Sequence, residues 1–366
     1  MMNNLKPGSS VIIGDQIRKA RKLLGLTPEE SAREINVSPE IILEWEEERS
    51  RPTLSQLEAM AKLYGREIDF FLRKTPGSPA KIEFRGKLGQ SLKNISIESR
   101  IVIAKFEELC RNAFEFEELL GKSREIKLLT FKPTNKPETD AGRLRETYNL
   151  MDKPVSALRN LLEDSGVRIF ELPVPNDEFS GFSFWHSDYG PCILVNARDS
   201  EGRRNFTLAH ELAHFLYNDG SSLCYIPSEI SETYGSIEYR ANQFAVELLL
   251  PALGITEDFK KGGFSSIPTD KELSKMANKW GVSIQALGYR LENLKLIRKG
   301  YTDTLLEPKQ KHFRRPKIPA WRRQLGERFV NTSIEAYRKD LISVSKLAHT
   351  LGIPIRKAME LVDGRR

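Results

Sequence analysis

Between residues 13 and 72, apolar positions recur at helical spacing in short runs separated by turn residues. Gln16–Leu24 carries Ile17, Ala20, Leu23 and Leu24 on one stripe, and Gly25 ends it. Thr27, followed three residues later by Glu30, has the form of a capping box, and Pro28 occupies the first position of a second helix, Pro28–Ile35. Asn36-Val37 turns the chain, and Ser38-Pro39 opens a third helix running through Glu47. Two more helical patterns follow at Leu54–Tyr64 and Ile68–Leu72. Short helix, tight turn, short helix is the geometry in which a later helix can enter a major groove.

The pattern then changes. Residues 73–80 are rich in Pro, Gly and Ser and read as a linker; Ile82–Arg85 reads as a short strand and Ser96–Leu120 as a long helix. Pro133 and Pro137 break the chain again, and Thr139–Asp164 carries two helical patterns. Strand-like segments follow at Val167–Leu172, Gly181–His186 and Cys192–Asn196, the last two joined by a turn at Asp188-Tyr189-Gly190-Pro191, and Phe182-Ser183-Phe184-Trp185 alternates as a strand with one buried face does. These predict a small, mostly antiparallel sheet. Gly181–His186 is the expected edge strand, where a substrate backbone would add itself. Leu273–Leu294 is again helix, turn, helix and is read as a packing module; Val344–Val362 repeats the pattern through Leu347-Ala348, Gly352-Ile353-Pro354 and Ala358-Met359.

The chemistry concentrates in one helix after the sheet, Phe206-Thr207-Leu208-Ala209-His210-Glu211-Leu212-Ala213-His214-Phe215-Leu216. Two histidines four apart share a helix face, so their imidazoles can reach one metal ion. Glu211 is placed beside them as a general base, the H-E-x-x-H arrangement in which zinc activates a water for peptide hydrolysis. The chain has only 5 histidines, and two fall in this single turn. A second helix, Ile237–Leu250, supplies a third ligand candidate in Glu238; Glu247 is the alternative, off that helical face. His186, Tyr217, Tyr225 and Tyr234 are candidates for substrate or oxyanion contacts that spacing does not separate. His312 and His349 are assigned no ligand role.

Length and composition bound this picture. A chain of 366 residues, 39% hydrophobic and 29% charged, accommodates two or three soluble domains. No run approaches the ~20 apolar residues of a membrane span, and Met1–Pro7 lacks the apolar core of a signal peptide. Three widely spaced cysteines, Cys110, Cys192 and Cys224, do not form a disulfide framework and fit a reducing cytoplasm. A net charge of +7 permits nucleic-acid contact without requiring it. Lys309, Lys311, Arg314, Arg315, Lys317, Arg322 and Arg323, interleaved with Phe313 and Trp321, are read as a solvated basic linker ahead of a nucleic-acid patch.

Two stretches of the chain resemble known families. Leu26-Thr27-Pro28-Glu29-Glu30-Ser31-Ala32, Val37-Ser38, Trp45-Glu46, Pro52-Thr53-Leu54, Leu57, Ala61 and Leu63 resemble the phage-repressor (XRE-type) helix-turn-helix family. The segment departs from it where DNA would be touched: Pro28 stands where Gln is common, and the recognition helix offers Pro39, Glu40 and Glu44, followed by Glu46, Glu47 and Glu48. Carboxylates repel phosphates, so a protein-interaction module competes with DNA binding for residues 13–72. Arg203-Arg204-Asn205-Phe206-Thr207-Leu208-Ala209-His210-Glu211-Leu212-Ala213-His214 and Glu238-x-x-Ala241-Asn242-x-Phe244-Ala245-x-x-Leu248-Leu249-x-Pro251 resemble the ImmA/IrrE metallopeptidase family, as does Leu273–Ile297. Arg240 stands where many members have a second acidic residue.

The resemblance implies zinc held by His210, His214 and Glu238, with Glu211 as catalytic base. It also implies a protein substrate such as a helix-turn-helix repressor whose inactivation controls stress-response or mobile-element genes. The expected fold is α+β: a helix-turn-helix domain at 13–72, a linker and helical connector at 73–138, a zincin-like domain at 139–300, and a basic linker with a helical segment at 301–366. The rival reading is a DNA-binding regulator, or an antitoxin-like component, whose peptidase fold binds a partner without turnover. DNA through residues 13–72 and a second copy of the chain complete the expected partners.

Overall fold

The computed structural model describes residues 13–72, 95–122, 124–128, 132–134, 136–155, 157–219, 222–224, 237–264, 267–305 and 319–363. The expected strand Ile82–Arg85, together with Tyr225, Tyr234, His312 and the basic residues from Lys309 to Lys317, lies outside them. The chain divides into two compact units, Met1–Glu108 and Leu109–Arg366.

In the first unit, α1 (Ile13–Leu23), α2 (Pro28–Ile35), α3 (Pro39–Glu46), α4 (Leu54–Leu63) and α5 (Ile68–Leu72) follow the predicted pattern. The Thr27–Glu30 capping box forms in both directions, and Thr53 with Gln56 makes a second one at the start of α4. Asn36 takes the left-handed conformation between α2 and α3 (φ 61°), which the short polar side chain of Asn tolerates. Ile17, Ala20, Ala32, Ile42, Trp45, Met60, Tyr64 and Phe71 form the core, joined by Ala104 from α6 (Ile97–Leu119).

One reading of the third helix needs correcting. Glu46 belongs to the interior, 4% exposed, not to a row of surface carboxylates. Its carboxylate accepts from Arg21 at 2.5 and 2.9 Å and from Arg18 Nε at 3.3 Å. A buried carboxylate survives only with such partners. Glu40, Glu47 and Glu48 do remain at the surface.

The second unit contains a four-stranded sheet of β1 (Arg168–Leu172), β2 (Gly181–His186), β3 (Gly190–Asn196) and β4 (Ser222–Cys224), in the order β1-β3-β2-β4. β3 pairs parallel with β1 and antiparallel with β2, and β2 pairs antiparallel with β4. The strand expected at the edge is therefore internal. β4 covers it only from Gly181 to Ser183, and no described strand lies on that side of Phe184, Trp185 and His186.

Around the sheet lie α7 (Pro137–Thr147), α8 (Leu158–Asp164), α9 (Glu201–Tyr217), α10 (Ile237–Leu249), α11 (Ala252–Lys261), α12 (Asp270–Trp280) and α13 (Ile284–Asn293). α10 is packed against both α9 and α7. Their shared core includes Leu144, Leu162, Ile193, Leu208, Leu212, Phe244, Leu248, Trp280 and Leu287. The first turn of α9 sits on the α12–α13 turn so closely that a Cβ on Gly202 would stand 2.3 Å from the Val282 carbonyl carbon. Asn205 Nδ2 donates to Gly281 O beside it at 2.8 Å. Gly202→Ala therefore forces two backbones apart. The expected cost is about 1–3 kcal/mol, visible as a lower thermal midpoint by circular dichroism; an unchanged midpoint would contradict this seating of α9.

The C-terminal helices α14 (Ala320–Leu325), α15 (Glu327–Arg338), α16 (Val344–Leu351) and α17 (Ile355–Val362) continue the same unit. Phe329 of α15 meets Phe170 of β1 edge-on at 5.1 Å, and Arg159 Nη1 donates to Arg323 O at 2.7 Å. The fold is α+β, and no described helix is long and apolar enough to cross a membrane.

Candidate metal centre

Helix α9 begins at a Ser200 cap, whose hydroxyl accepts from Arg203 N at 3.4 Å, and ends at Asn218 in the left-handed conformation (φ 56°). Between them Leu208, Ala209, Leu212, Ala213, Phe215 and Leu216 are buried, which carries His210, Glu211 and His214 inside with them, at 2%, 0% and 1% exposure. The two Nε2 atoms approach to 3.0 Å. Glu238, on the first turn of α10, brings Oε2 to 3.2 Å from His210 Nε2 and Oε1 to 3.7 Å from His214 Nε2. Four ligands at the usual zinc distances stand about 3.3 Å apart in a tetrahedron, so these three donors have the spacing of three of its corners. This is the one group of three His, Cys, Asp or Glu residues found close enough to hold a metal among the described residues.

The backs of both imidazoles are held. His210 Nδ1 lies 2.8 Å from Asn242 Oδ1, and His214 Nδ1 lies 3.2 Å from Asp219 Oδ2. A carboxylate only accepts, so the His214 Nδ1 that faces Asp219 carries a proton, which leaves Nε2 as the atom that would ligate a metal; the Asn242 oxygen favours a proton on His210 Nδ1 in the same way. Asp219 is itself fixed by Arg240 at 2.5 Å, and the Arg240 guanidinium lies 4.2 Å over the Tyr217 ring. Arg240, which departs from the acidic residue expected there, thus orients the chain behind a histidine.

Glu211 lies against β2. Its Oε2 accepts from the Ser183 hydroxyl at 2.5 Å, while Oε1 is buried without a hydrogen-bond partner in the structure. A Cβ on Gly181 would come 2.3 Å from Thr207 Cγ2 and 3.2 Å from Glu211 Oε1, so the glycine gives the strand its approach. Burial pushes the Glu211 carboxyl above the usual range, against the opposing pull of His214, His210 and Ser183. Glu238 is half exposed, at 54%; partial desolvation acts upward, but the hydrogen bond to His210 and the attraction of both histidines prevail and hold it below the usual range. A buried carboxylate with one unpartnered oxygen beside two histidines and a second carboxylate is a donor set suited to a divalent cation and its water.

The other predicted residues fall elsewhere. The His186 ring stacks on Tyr189 at 3.6 Å, and its Nδ1 accepts from Asp188 N at 3.1 Å, within the β2–β3 turn. It is three residues along the strand from Ser183, roughly 10 Å. Tyr217 donates its hydroxyl to Asp140 Oδ2 at 3.1 Å; burial and that carboxylate both raise its pKa. Glu247, the alternative third ligand, pairs with Arg290 at 2.6 Å. Three residues that touch the site were not singled out for it from the sequence: Ser183, Asp219 and Asn242. Only Asn242 carried a signal, four positions after Glu238 on one helical face.

Residues 162–292 match the IrrE N-terminal-like domain, Peptidase_M78, and residues 17–71 match the helix-turn-helix family HTH_3. No curated protein matches the chain. The protein thus joins an XRE-type helix-turn-helix domain to an IrrE N-terminal-like domain of metallopeptidase type, and the buried histidine helix and Glu238 both fall within the latter.

Proposed function

We propose that the protein is a zinc-dependent endopeptidase that cleaves a regulatory protein, such as a helix-turn-helix repressor, in the cytoplasm. The observation that carries this is the unpartnered Glu211 Oε1 beside the converging His210, His214 and Glu238 donors. A bound zinc ion would acidify a water ligand and polarise the scissile carbonyl. His210, His214 and Glu238 would hold the ion, and Asn242 and Asp219 would keep both imidazoles in the ligating tautomer. Glu211 takes the proton of the attacking water on Oε1, with Oε2 anchored by Ser183, and passes it to the leaving amine.

The test is a comparison of new protein N-termini, by mass spectrometry, after incubating the source organism's proteome with zinc-loaded protein or with its Glu211→Gln variant. Termini that appear only with the wild type support the peptidase. Their absence at full zinc occupancy would move the reading to the regulator without turnover.

Asp219→Ala removes the carboxylate behind His214 and frees Arg240. We expect zinc affinity to fall about 10- to 100-fold, measured by competition with a chelating dye. An unchanged affinity would remove Asp219 from the site.

The N-terminal unit enters this reading as a docking module or a DNA reader. Exposed Glu40 and Glu47 and the partly exposed Leu43 on and beside α3 favour a protein surface of repressor-like fold. A gel shift at two salt concentrations distinguishes the two, because phosphate contacts weaken steeply with salt.

A further inference from the structure

Among the described residues, the turn of the N-terminal helix-turn-helix, with an alanine carbonyl as acceptor and the next helix starting three residues after the left-handed one, leads three times into a second helix of at least 8 residues; the same turn at Gly65 leads only into the 5 residues of α5. In each copy a left-handed residue ends the first helix: Asn36 (φ 61°), Gly281 (φ 66°) and Gly352 (φ 63°). The next residue, Val37, Val282 or Ile353, donates its backbone N–H to an alanine carbonyl five residues back, Ala32, Ala277 or Ala348, at 3.0, 3.1 and 3.0 Å. Each alanine is buried, and so is the residue six beyond the turn, Ile42, Leu287 or Ala358. The turn is built in the same way in all three. What differs is the outer surface of the second helix.

On α3 that surface is acidic, with Glu40 exposed and Glu47 and Glu48 following. On α13 it is occupied: Thr302 lies against Gly288, Tyr289 donates to Asp303 at 2.8 Å, and Arg290 is buried against Glu247. On α17 only Ala358 is buried, while Ile355, Arg356, Lys357 and Met359 are all exposed. Arg356 reaches Glu360 at 3.0 Å, but with side-chain exposures of 91% and 52% this pair does not neutralise the guanidinium in a lasting way. Arg338, at the end of α15, adds positive charge where its Nη2 donates to Val362 O at 3.4 Å. The sequence shows the same bias. Positions 306–366 hold fifteen Lys and Arg residues against six Asp and Glu, so with the whole chain at +7 the remainder is slightly negative.

We propose that α16–α17, the third of these helix-turn-helix units, is the duplex-DNA-binding site of this protein, with α17 in the major groove. Arg356 and Lys357, in the first turn of α17, lie where such helices contact base edges and the flanking phosphates. Ile355 and Met359 are the apolar groups beside them, suited to thymine methyls. The acidic N-terminal copy is then released from DNA contact.

The test uses the full chain and a fluorescein-labelled mixed-sequence duplex, with binding followed by anisotropy across a salt series. The wild type should bind at low salt and weaken linearly in log–log form. Arg356→Glu with Lys357→Glu should lower affinity at least tenfold and flatten the salt slope by about 2. Zinc content should stay unchanged, and the thermal midpoint should fall only by the small loss of the Lys357 ammonium over the Trp321 ring, 5.7 Å from its centroid. Arg298→Glu with Lys299→Glu makes the same charge change at exposed positions outside the motif and should cost less than threefold. Arg356→Lys with Lys357→Arg should retain most of the binding. No duplex binding by the wild type, equal losses in both charge-reversal variants, or unchanged binding in the α17 variant would each overturn the proposal. The last result would assign Ile355 and Met359 to a protein partner instead.

Discussion

Glu211→Gln should retain a full complement of zinc and lose about 10²- to 10⁴-fold in cleavage, the usual contribution of a positioned general base. The substitution is isosteric. Ser183 can still donate to the side-chain oxygen, and none of the three donors, His210, His214 and Glu238, is altered. What disappears is the basic oxygen that receives the proton. Thermal stability should hold or rise, because a carboxylate buried with one oxygen unpartnered is costly to keep charged. Elemental analysis and N-terminal mass spectrometry on the same preparation make the measurement. Wild-type cleavage by this variant would sink the assignment of Glu211 as base.

His210→Ala should purify without zinc. It removes one of two imidazole ligands and leaves Asn242 facing an empty volume in a helix buried along its length. The wild type should gain thermal stability as zinc is added, by about 4 kcal/mol at a thousandfold excess over the dissociation constant. The variant should show no such gain at any concentration used. His186→Ala supplies the contrast: its ring belongs to the β2–β3 turn, so zinc content should not change. One zinc per chain in His210→Ala would refute the ligand set, whatever the activity.

Much of this was legible because it is local. The i,i+4 histidines, the Thr27–Glu30 box and the turns at Asn36, Gly281 and Gly352 depend on neighbours within one or two helical turns. The side chains that complete the site are not local. Ser183 meets Glu211 from 28 positions away, and Asn242 meets His210 from 32 away. Asp219 is only five residues from His214, yet its role depends on Arg240 arriving from the next helix. Glu46 reads as one of a surface run of acids until Arg21, 25 positions earlier, folds back onto it. The edge position expected for β2 failed for a related reason: strand order depends on which segments pair across long connections, not on the alternation within one strand.

By itself the sequence determined the helix-turn-helix periodicity, the histidine face of α9 and the acid beside it, because spacing along a helix translates directly into position on its surface. Only the tertiary structure decided that Glu247 is taken up by Arg290, that Ser183 and Asp219 stand behind Glu211 and His214, and that α17 is the exposed, basic copy of a turn-and-helix unit repeated among the described residues. Those outcomes turn on which faces of separate elements are brought together and which are left to solvent, and long-range packing alone selects between them.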